Sequence, residues 1–126
     1  DPFALEKEIA QMREQGLHIT PDNLQIAENA TLILPIHQQI DGIAEGLRGK
    51  GQIGTTKRGI GPAYEDKIAR RAIRVCDLAD DVLLKDKMDA LLAHHNITLR
   101  AADQEPLDAH SQRVVTKFCQ TRLAHA

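Results

Sequence analysis

The glycines of this chain are concentrated in one short run, and that run constrains the fold more than any other feature. Six of the eight glycines lie between Gly46 and Gly61. They alternate with isoleucine, threonine and basic residues rather than with serine and proline, which is typical of a loop with specified backbone angles. We therefore predict a structured glycine-rich loop at the centre of the chain, with regular structure on both sides.

The residues before the loop predict one helix and one short strand. Asp1 and Pro2 have the character of an N-cap followed by proline at the first helical position. Leu5, Ile9 and Met12 then repeat at helical spacing, so we expect them to form a buried face. Residues 23–27 alternate polar with apolar side chains, which predicts a short strand, although no partner strand is evident within the chain.

Helical spacing also predicts most of the remaining structure. Residues 80–94 carry a stripe of Leu84, Met88 and Leu91 that we expect to be buried. Only three of the 126 residues are aromatic, so the core must be built from aliphatic side chains. The prediction is a mainly α single domain over residues 1–126, a small orthogonal helical bundle around the central loop. Its other predicted helices cover residues 2–16, 32–47, 62–73 and 106–126.

Composition excludes several functional classes. The formal net charge is -2, which predicts no general affinity for polyanions, and no apolar run is long enough for a membrane span. Cys76 and Cys119 lie far apart, which indicates neither a disulfide framework nor a zinc site and favours a cytoplasmic protein. We expect Cys76 to be buried and inert. We expect the pair His94 and His95 to lie at a helix end rather than to bind a metal.

The strongest chemical signal is a local excess of positive charge. Residues 50–74 hold seven basic and two acidic residues, a local charge of +5. Thr55 and Thr56 offer hydroxyl groups, and Pro62 begins a predicted helix whose first N–H groups would favour an anion. On that helix a basic set at spacings of three and four predicts one phosphate-binding face: Lys67, Arg70, Arg71 and Arg74.

Two other interpretations of the basic helix stay open at this point. Asp66 precedes Arg70 by four residues, the favourable order for a solvated surface pair. Alternatively, the chain is a small helical module that binds RNA or another polyanion through residues 62–74. The net negative charge and the single nearby aromatic residue, Tyr64, count against the RNA interpretation. The loop does not have the GxxxxGK[ST] pattern of a P-loop.

The same residues resemble a known family. Residues 54–70 read GTTKRGIGPAYEDKIAR, which is similar to the adenylosuccinate synthetase signature GTTxRGIGPxYxxKxxR. Residues 32–37 and Asp41 resemble that family's LILPYHxxLD segment, and matches in order extend over about residues 1–80. The departures are Ile36 in place of tyrosine, Ala72 in place of glycine, and Lys57, which some members share.

The resemblance implies roles for five residues, and none of the departures falls on them. Thr56 would contact the 5′-phosphate of IMP, and Arg70 would reach the IMP phosphate of the partner subunit. Lys67 would be a catalytic residue essential for activity. Arg58 and Arg74 would be further basic residues of the IMP phosphate site, with less defined roles.

The resemblance also implies a larger enzyme. That enzyme would be a cytoplasmic homodimer, a GTP-dependent ligase that joins IMP and L-aspartate into adenylosuccinate, with GDP and phosphate as products, in AMP biosynthesis. Residues 1–126 would be the helical insertion of this larger α/β protein. Mg²⁺, GTP and L-aspartate would be held by parts outside the chain. We therefore expect an excised segment, inactive alone, without metal ligands of its own and without nucleic-acid or membrane partners.

Overall fold

The computed structural model describes residues 1–51 and 54–107, and this part of the chain is helical, which confirms the predicted fold class. The four α-helices of this part are α1 (Pro2–Glu14), α2 (Pro35–Leu47), α3 (Ile60–Ile68) and α4 (Asp81–Ala101). Two short 3-10 helices, Gly49–Gly51 and Val75–Ala79, lie between them. None of the described helices is long and apolar enough to cross a membrane.

Helix α1 begins as predicted but does not bury the predicted face. The Asp1 carboxylate accepts hydrogen bonds from the amides of Phe3 and Ala4, as an N-cap does. Leu5 and Ile9 are only half-buried, and Met12 is 43% exposed. The prediction of a buried stripe is therefore wrong, because none of the other described helices packs closely against α1.

The predicted strand at residues 23–27 is also wrong. Residues 21–23 form a turn, and residues 24–27 have no regular structure. The Asn23 side chain accepts from the Thr20 amide and donates to the His18 carbonyl. These local bonds replace strand pairing, and no neighbouring strand is present in the described part to compete with them.

The core lies between α2 and α4 and the chain segments that lead into them. Leu34, Ile36, Ile73, Met88 and Leu91 are completely buried there. The Leu84, Met88 and Leu91 stripe of α4 is buried as predicted. Helix α4 continues seven residues beyond the predicted end, to Ala101, because Leu99 extends the buried stripe.

Helix α3 differs most from its prediction. It starts at Ile60, with Gly59 as N-cap, and ends at Ile68 rather than near residue 73. Arg70 has φ +61°, the left-handed conformation that ends helices. The amide of Arg71 bonds to the Asp66 carbonyl at 2.8 Å, and that of Arg70 to the Lys67 carbonyl at 3.2 Å. These two bonds form a Schellman motif, which satisfies the last carbonyls of the helix.

The chain after α3 returns to the core in an extended conformation. The Leu32 amide bonds to the Ile73 carbonyl at 2.9 Å, and Thr31 and Arg74 form an isolated antiparallel bridge. Cys76 follows and is exposed, so the prediction of a buried thiol is wrong. The predicted last helix falls mostly on residues 108–126, outside the described residues, as does Cys119. Of its start, Pro106 and Leu107 are not helical.

Candidate functional site

Two buried carboxylates on α2 hold both ends of the glycine-rich loop. Glu45 Oε1 accepts hydrogen bonds from the amides of Gly54 at 2.7 Å and Thr55 at 3.4 Å. Asp41 Oδ2 accepts from the amide of Gly59 at 3.0 Å. Residues four apart on a helix lie on one face, so Asp41 and Glu45 both point toward the loop. Residues 54–59 are therefore attached to α2 at each end.

Glycine is required where the loop meets α2. Gly59 has φ +79°, and a Cβ atom there would lie 2.7 Å from the backbone nitrogen of Gln38 and 2.8 Å from Cβ of His37. Gly54 also has a positive φ, of +71°, but a Cβ at that position would meet nothing within 4 Å. The loop therefore lies against the first turn of α2 at Gly59 and is more open at Gly54.

The anchored loop borders a cavity of about 330 Å³ at the N-terminal end of α3. Thr55, Thr56 and Gly61 line it, together with Asp41 and Glu65. The hydroxyl oxygen of Thr55 is buried and has no hydrogen-bond partner among the described residues. A buried unpaired hydroxyl is costly, so a bound ligand is a natural partner for it.

A second cavity of about 460 Å³ lies near the C-terminal end of α3 and is strongly basic. Lys67, Arg70, Arg74 and Lys87 line it with Asn29 and Ala72. Arg70 and Arg74, which the resemblance assigned to the IMP phosphate site, therefore lie here beside Lys67, which it assigned to catalysis. Lys87 joins them from α4. Its ammonium also pairs with Asp77 at 2.6 Å.

The sequence-predicted residues thus fall into separate groups. Thr56 lines the cavity at one end of α3, whereas Arg70 lines the cavity at the other. Helix α3 has nine residues, a length of about 13 Å at 1.5 Å per residue. Arg58 is exposed and lines neither cavity. The expected basic face of one helix is wrong, because Arg70, Arg71 and Arg74 all follow the end of α3.

A buried network of polar side chains holds α3 against α2 and α4. Asp66 Oδ2 lies 3.1 Å from His37 Nε2 and 2.6 Å from His95 Nε2. Its other oxygen, Oδ1, accepts from Nε of Arg71 at 3.1 Å. Burial of the Asp66 carboxyl acts to raise its pKa, but the bonds from His37 and His95 outweigh it and hold the pKa well below its ordinary value.

This network corrects two predictions. His95 is buried within α4 rather than placed at a helix end, because the helix continues to Ala101. Asp66 pairs with Arg71 and the two histidines rather than with Arg70 on a solvated surface. The pKa of His94 is lowered, first by burial and then by the nearby charge of Arg71. The sequence signal for the network was weak, since its members lie far apart along the chain.

The same three side chains are close enough to be considered as metal ligands, with donor atoms of His37, Asp66 and His95 within 4.8 Å of one another. The hydrogen bonding argues against this use. The Leu34 amide donates to His37 Nδ1 at 2.9 Å, so Nδ1 must be the accepting nitrogen. The neutral ring then carries its proton on Nε2, which leaves no lone pair there for a metal. We interpret the cluster as a structural hydrogen-bond network.

These features define a helical segment with a hydroxyl-lined cavity and a basic cavity at opposite ends of one helix, an arrangement suited to phosphate-bearing ligands. A family model described as Adenylosuccinate synthetase matches residues 1–125. The chain belongs to the adenylosuccinate synthetase family, whose members are ligases of purine biosynthesis. The resemblance inferred from residues 54–70 is thereby confirmed.

A solved structure is similar over most of the chain. It is the structure of fully ligated adenylosuccinate synthetase from Plasmodium falciparum, with 29% sequence identity and a TM-score of 0.72. The match covers 93% of this chain and 27% of that one. The chain therefore spans about a quarter of the length of the enzyme it matches, and it is compatible with a helical segment of that enzyme.

Proposed function

We propose that this chain supplies part of the IMP 5′-phosphate site of a complete GTP-dependent ligase, which joins IMP and L-aspartate into adenylosuccinate, with GDP and phosphate as products. Thr56 binds the phosphate in its own subunit. Arg70 binds the phosphate of the partner subunit in a homodimer. Lys67 is a catalytic residue, and Arg58 and Arg74 are further basic residues of the phosphate site. The observation that carries the proposal is the separation of Thr56 and Arg70 into cavities at opposite ends of α3.

The separation supports a shared site for a geometric reason. One phosphate group is only a few ångströms across, so it cannot contact side chains that line cavities at opposite ends of a helix about 13 Å long. Two subunits related by a two-fold axis solve this problem, because each brings its Arg70 to the other's Thr56. The exposed position of Arg70 is in keeping with such a reach.

The remaining chemistry belongs to parts outside residues 1–126. In the complete enzyme GTP phosphorylates the 6-oxygen of IMP, and the amine of L-aspartate then displaces that phosphate, with Mg²⁺ neutralising charge. The basic cavity suits phosphate oxygens and would repel a divalent cation, which supports placing Mg²⁺ elsewhere. The isolated chain is accordingly inactive, and the complete enzyme acts in the cytoplasm.

A mixed-dimer experiment tests the proposal in the complete enzyme. Losing a charged hydrogen bond to phosphate costs about 1.5–3 kcal/mol, so Arg70→Leu should raise KM for IMP roughly ten- to a hundredfold while KM for GTP changes far less. Mixing Arg70→Leu subunits with catalytically dead subunits that retain Arg70 should restore tight IMP binding at the working site. If the mixture keeps the weak affinity of the Arg70→Leu parent, Arg70 acts within its own subunit and the shared site is wrong.

The alternative of an RNA-binding helix has less support. It needed one continuous basic helix over residues 62–74, whereas α3 ends at Ile68. Tyr64 is exposed, but the Lys67 ammonium lies 5.6 Å from its ring centroid, so part of that ring already faces a cation. The basic side chains line a cavity rather than an extended surface, which suits a compact anion better than a nucleic-acid backbone.

A further inference from the structure

We propose that Glu45 is a positioning residue for IMP binding: its carboxylate holds the Gly54 and Thr55 amides so that Thr56 faces the phosphate. The inference rests on the proposed function of Thr56. Part of α2 resembles a family segment, at residues 35–37 and Asp41, but Glu45 lies outside that segment and outside the signature at residues 54–70. Asp41 serves as the second anchor, at Gly59, and Thr56 lies between the two anchors and lines the cavity.

The contacts of Glu45 fix its carboxylate from both sides. Oε1 accepts from the two loop amides, while Oε2 accepts from the Arg48 guanidinium at 3.0 Å. The Glu45 side chain is only 4% exposed. A carboxylate that is bonded at both oxygens and enclosed by protein has one available orientation. The amides it holds, and with them the start of the loop, are therefore fixed relative to α2.

The loop has a physical need for such anchors. Fixing the backbone of one residue costs roughly 1–2 kcal/mol in conformational entropy, and more for glycine. Few apolar side chains in the loop offset that cost through burial, because Thr56, Lys57 and Arg58 are all exposed. The hydrogen bonds that the loop amides donate to buried carboxylates are charge-assisted and hence stronger than neutral ones. Glu45 and Asp41 thus order the loop before the ligand arrives.

A carboxylate near a phosphate site raises the question of repulsion. The Glu45 carboxylate is paired with Arg48, which itself lines the cavity, and its Oε1 is occupied by two amides, so Glu45 does not present its charge to the cavity. Burial acts to raise the pKa of Glu45, but the Gly54 amide, Arg48 and the Thr55 amide outweigh it, so its pKa lies below the ordinary value. Glu45 is therefore ionised at neutral pH and remains an acceptor.

Glu45 could also have the opposite effect on IMP binding, and the experiment distinguishes the two roles. If Glu45 occupied amides that the phosphate itself needs, it would compete with IMP, and its removal would tighten binding. If Glu45 positions the loop, its removal must weaken IMP binding. The two roles predict changes in KM of opposite sign.

The test compares Glu45→Ala with Glu45→Gln in a complete enzyme that contains this segment. Glu45→Ala should raise KM for IMP about tenfold, with kcat and the KM for GTP changed less than twofold. Glu45→Gln keeps an oxygen that accepts from the same amides, so its KM should lie between those of Glu45→Ala and the unchanged enzyme. Glu8→Ala, an exposed charge removal on α1, should leave all these constants unchanged. Circular dichroism and thermal unfolding confirm that each variant is folded.

Thr56→Val, measured beside these variants, separates the inference from the function on which it rests. If Thr56→Val weakens IMP binding but neither Glu45 variant does, the positioning role is wrong and the phosphate site stands. If Thr56→Val has no effect, the phosphate site itself is wrong and the inference falls with it. A lower KM for IMP in Glu45→Ala, or an equal loss for GTP and IMP, also overturns the positioning role.

Discussion

The two ends of helix α3 are built in different ways. At the N-terminal end the loop geometry comes from the backbone: glycines with positive φ and amides held by Asp41 and Glu45. At the C-terminal end the site consists of long charged side chains, and the backbone contributes mainly the Schellman motif at Arg70 and Arg71, which follows the last helical residue, Ile68. One end is held by hydrogen bonds to its backbone, whereas the other depends on charged side chains that are mostly exposed.

The difference suits the two roles proposed for these ends. A hydroxyl that contacts its own subunit's ligand needs an exact position, which anchored backbone provides. An arginine that reaches across a dimer needs length and adaptability, while the position of its Cα must still be secure. The Asp66 network holds the Arg70 backbone in position, because Asp66 joins α3 to His37 on α2 and to His95 on α4.

Of the substitutions that test this comparison of the two ends of α3, removing the charge of Asp66 should lower the free energy of unfolding most. Asp66→Asn keeps only one acceptor oxygen, so its amide hydrogens must face either the Nε2–H groups of His37 and His95 or the guanidinium of Arg71. Breaking a buried charge network typically costs 3–5 kcal/mol, so we expect a loss of unfolding free energy of about that size. Urea unfolding measures it, with Glu65→Gln at the exposed neighbouring position as control. Equal midpoints for the two variants would contradict a structural role for the network.

The pH dependence of stability tests the same network independently. The folded pKa of Asp66 is depressed, so its ionised form contributes stability above its unfolded pKa of about 3.9. That contribution is lost as pH falls from there toward the folded pKa. Between pH 5 and pH 2.5 the unchanged chain should therefore lose more unfolding free energy than Asp66→Asn. Equal losses of unfolding free energy for the two proteins over this pH range would contradict the stabilising role of ionised Asp66.

A smaller loss of unfolding free energy is expected at the N-terminal end of α3, from adding a single methyl group at Gly59. Gly59→Ala carries a left-handed backbone cost of roughly 1–2 kcal/mol. Its Cβ would also lie 2.7 Å from the backbone of α2, and such overpacking adds about 1–3 kcal/mol. Gly54→Ala should show the backbone cost alone, and Gly61→Ala neither cost, since its φ is not positive and its Cβ meets nothing within 4 Å. Thermal unfolding of the three variants should follow that order; a tie between Gly59→Ala and Gly54→Ala would show that contact with α2 is unimportant.

The sequence predicted those parts of the fold that depend on local patterns. Spacing of apolar residues placed α2 and α4, and the Asp1–Pro2 pair placed the start of α1, because these signals act within one or two turns. The stripe of α1 and the strand at residues 23–27 failed, since burial and strand pairing depend on neighbours that local pattern does not reveal. The end of α3 was missed because Arg70 adopts a left-handed conformation usually taken by glycine.

The sequence assigned residues to the candidate site, and that assignment stays a prediction, but it did not predict how the structure arranges them. Charge and glycine content indicated residues 50–74, and the resemblance to the family signature implied roles for five of these residues. The division between two cavities depends on where α3 ends, which the charge pattern cannot show. Asp41 and Glu45 were missed as anchors, although acids four residues apart on a helix beside a glycine-rich loop are a usable signal.

The smallest expected change in stability comes from Arg70→Gly, which should raise stability while it weakens IMP binding. Arg70 occupies the position after the helix C-cap in the left-handed conformation, with φ +61°. Arg70→Gly removes that strain, and after the greater flexibility of glycine in the unfolded chain is counted, stability should rise by about 0.5–1 kcal/mol. The same change removes the cation proposed to bind the partner's IMP, so KM for IMP should rise while the unfolding temperature also rises. Arg71→Gly is the matched control: it loses the pair with Asp66 and should lower stability. If Arg70→Gly destabilises the protein as Arg71→Gly does, then Arg70 makes contacts that stabilise the folded chain, and the contrast between a fixed and an adaptable end of α3 is wrong.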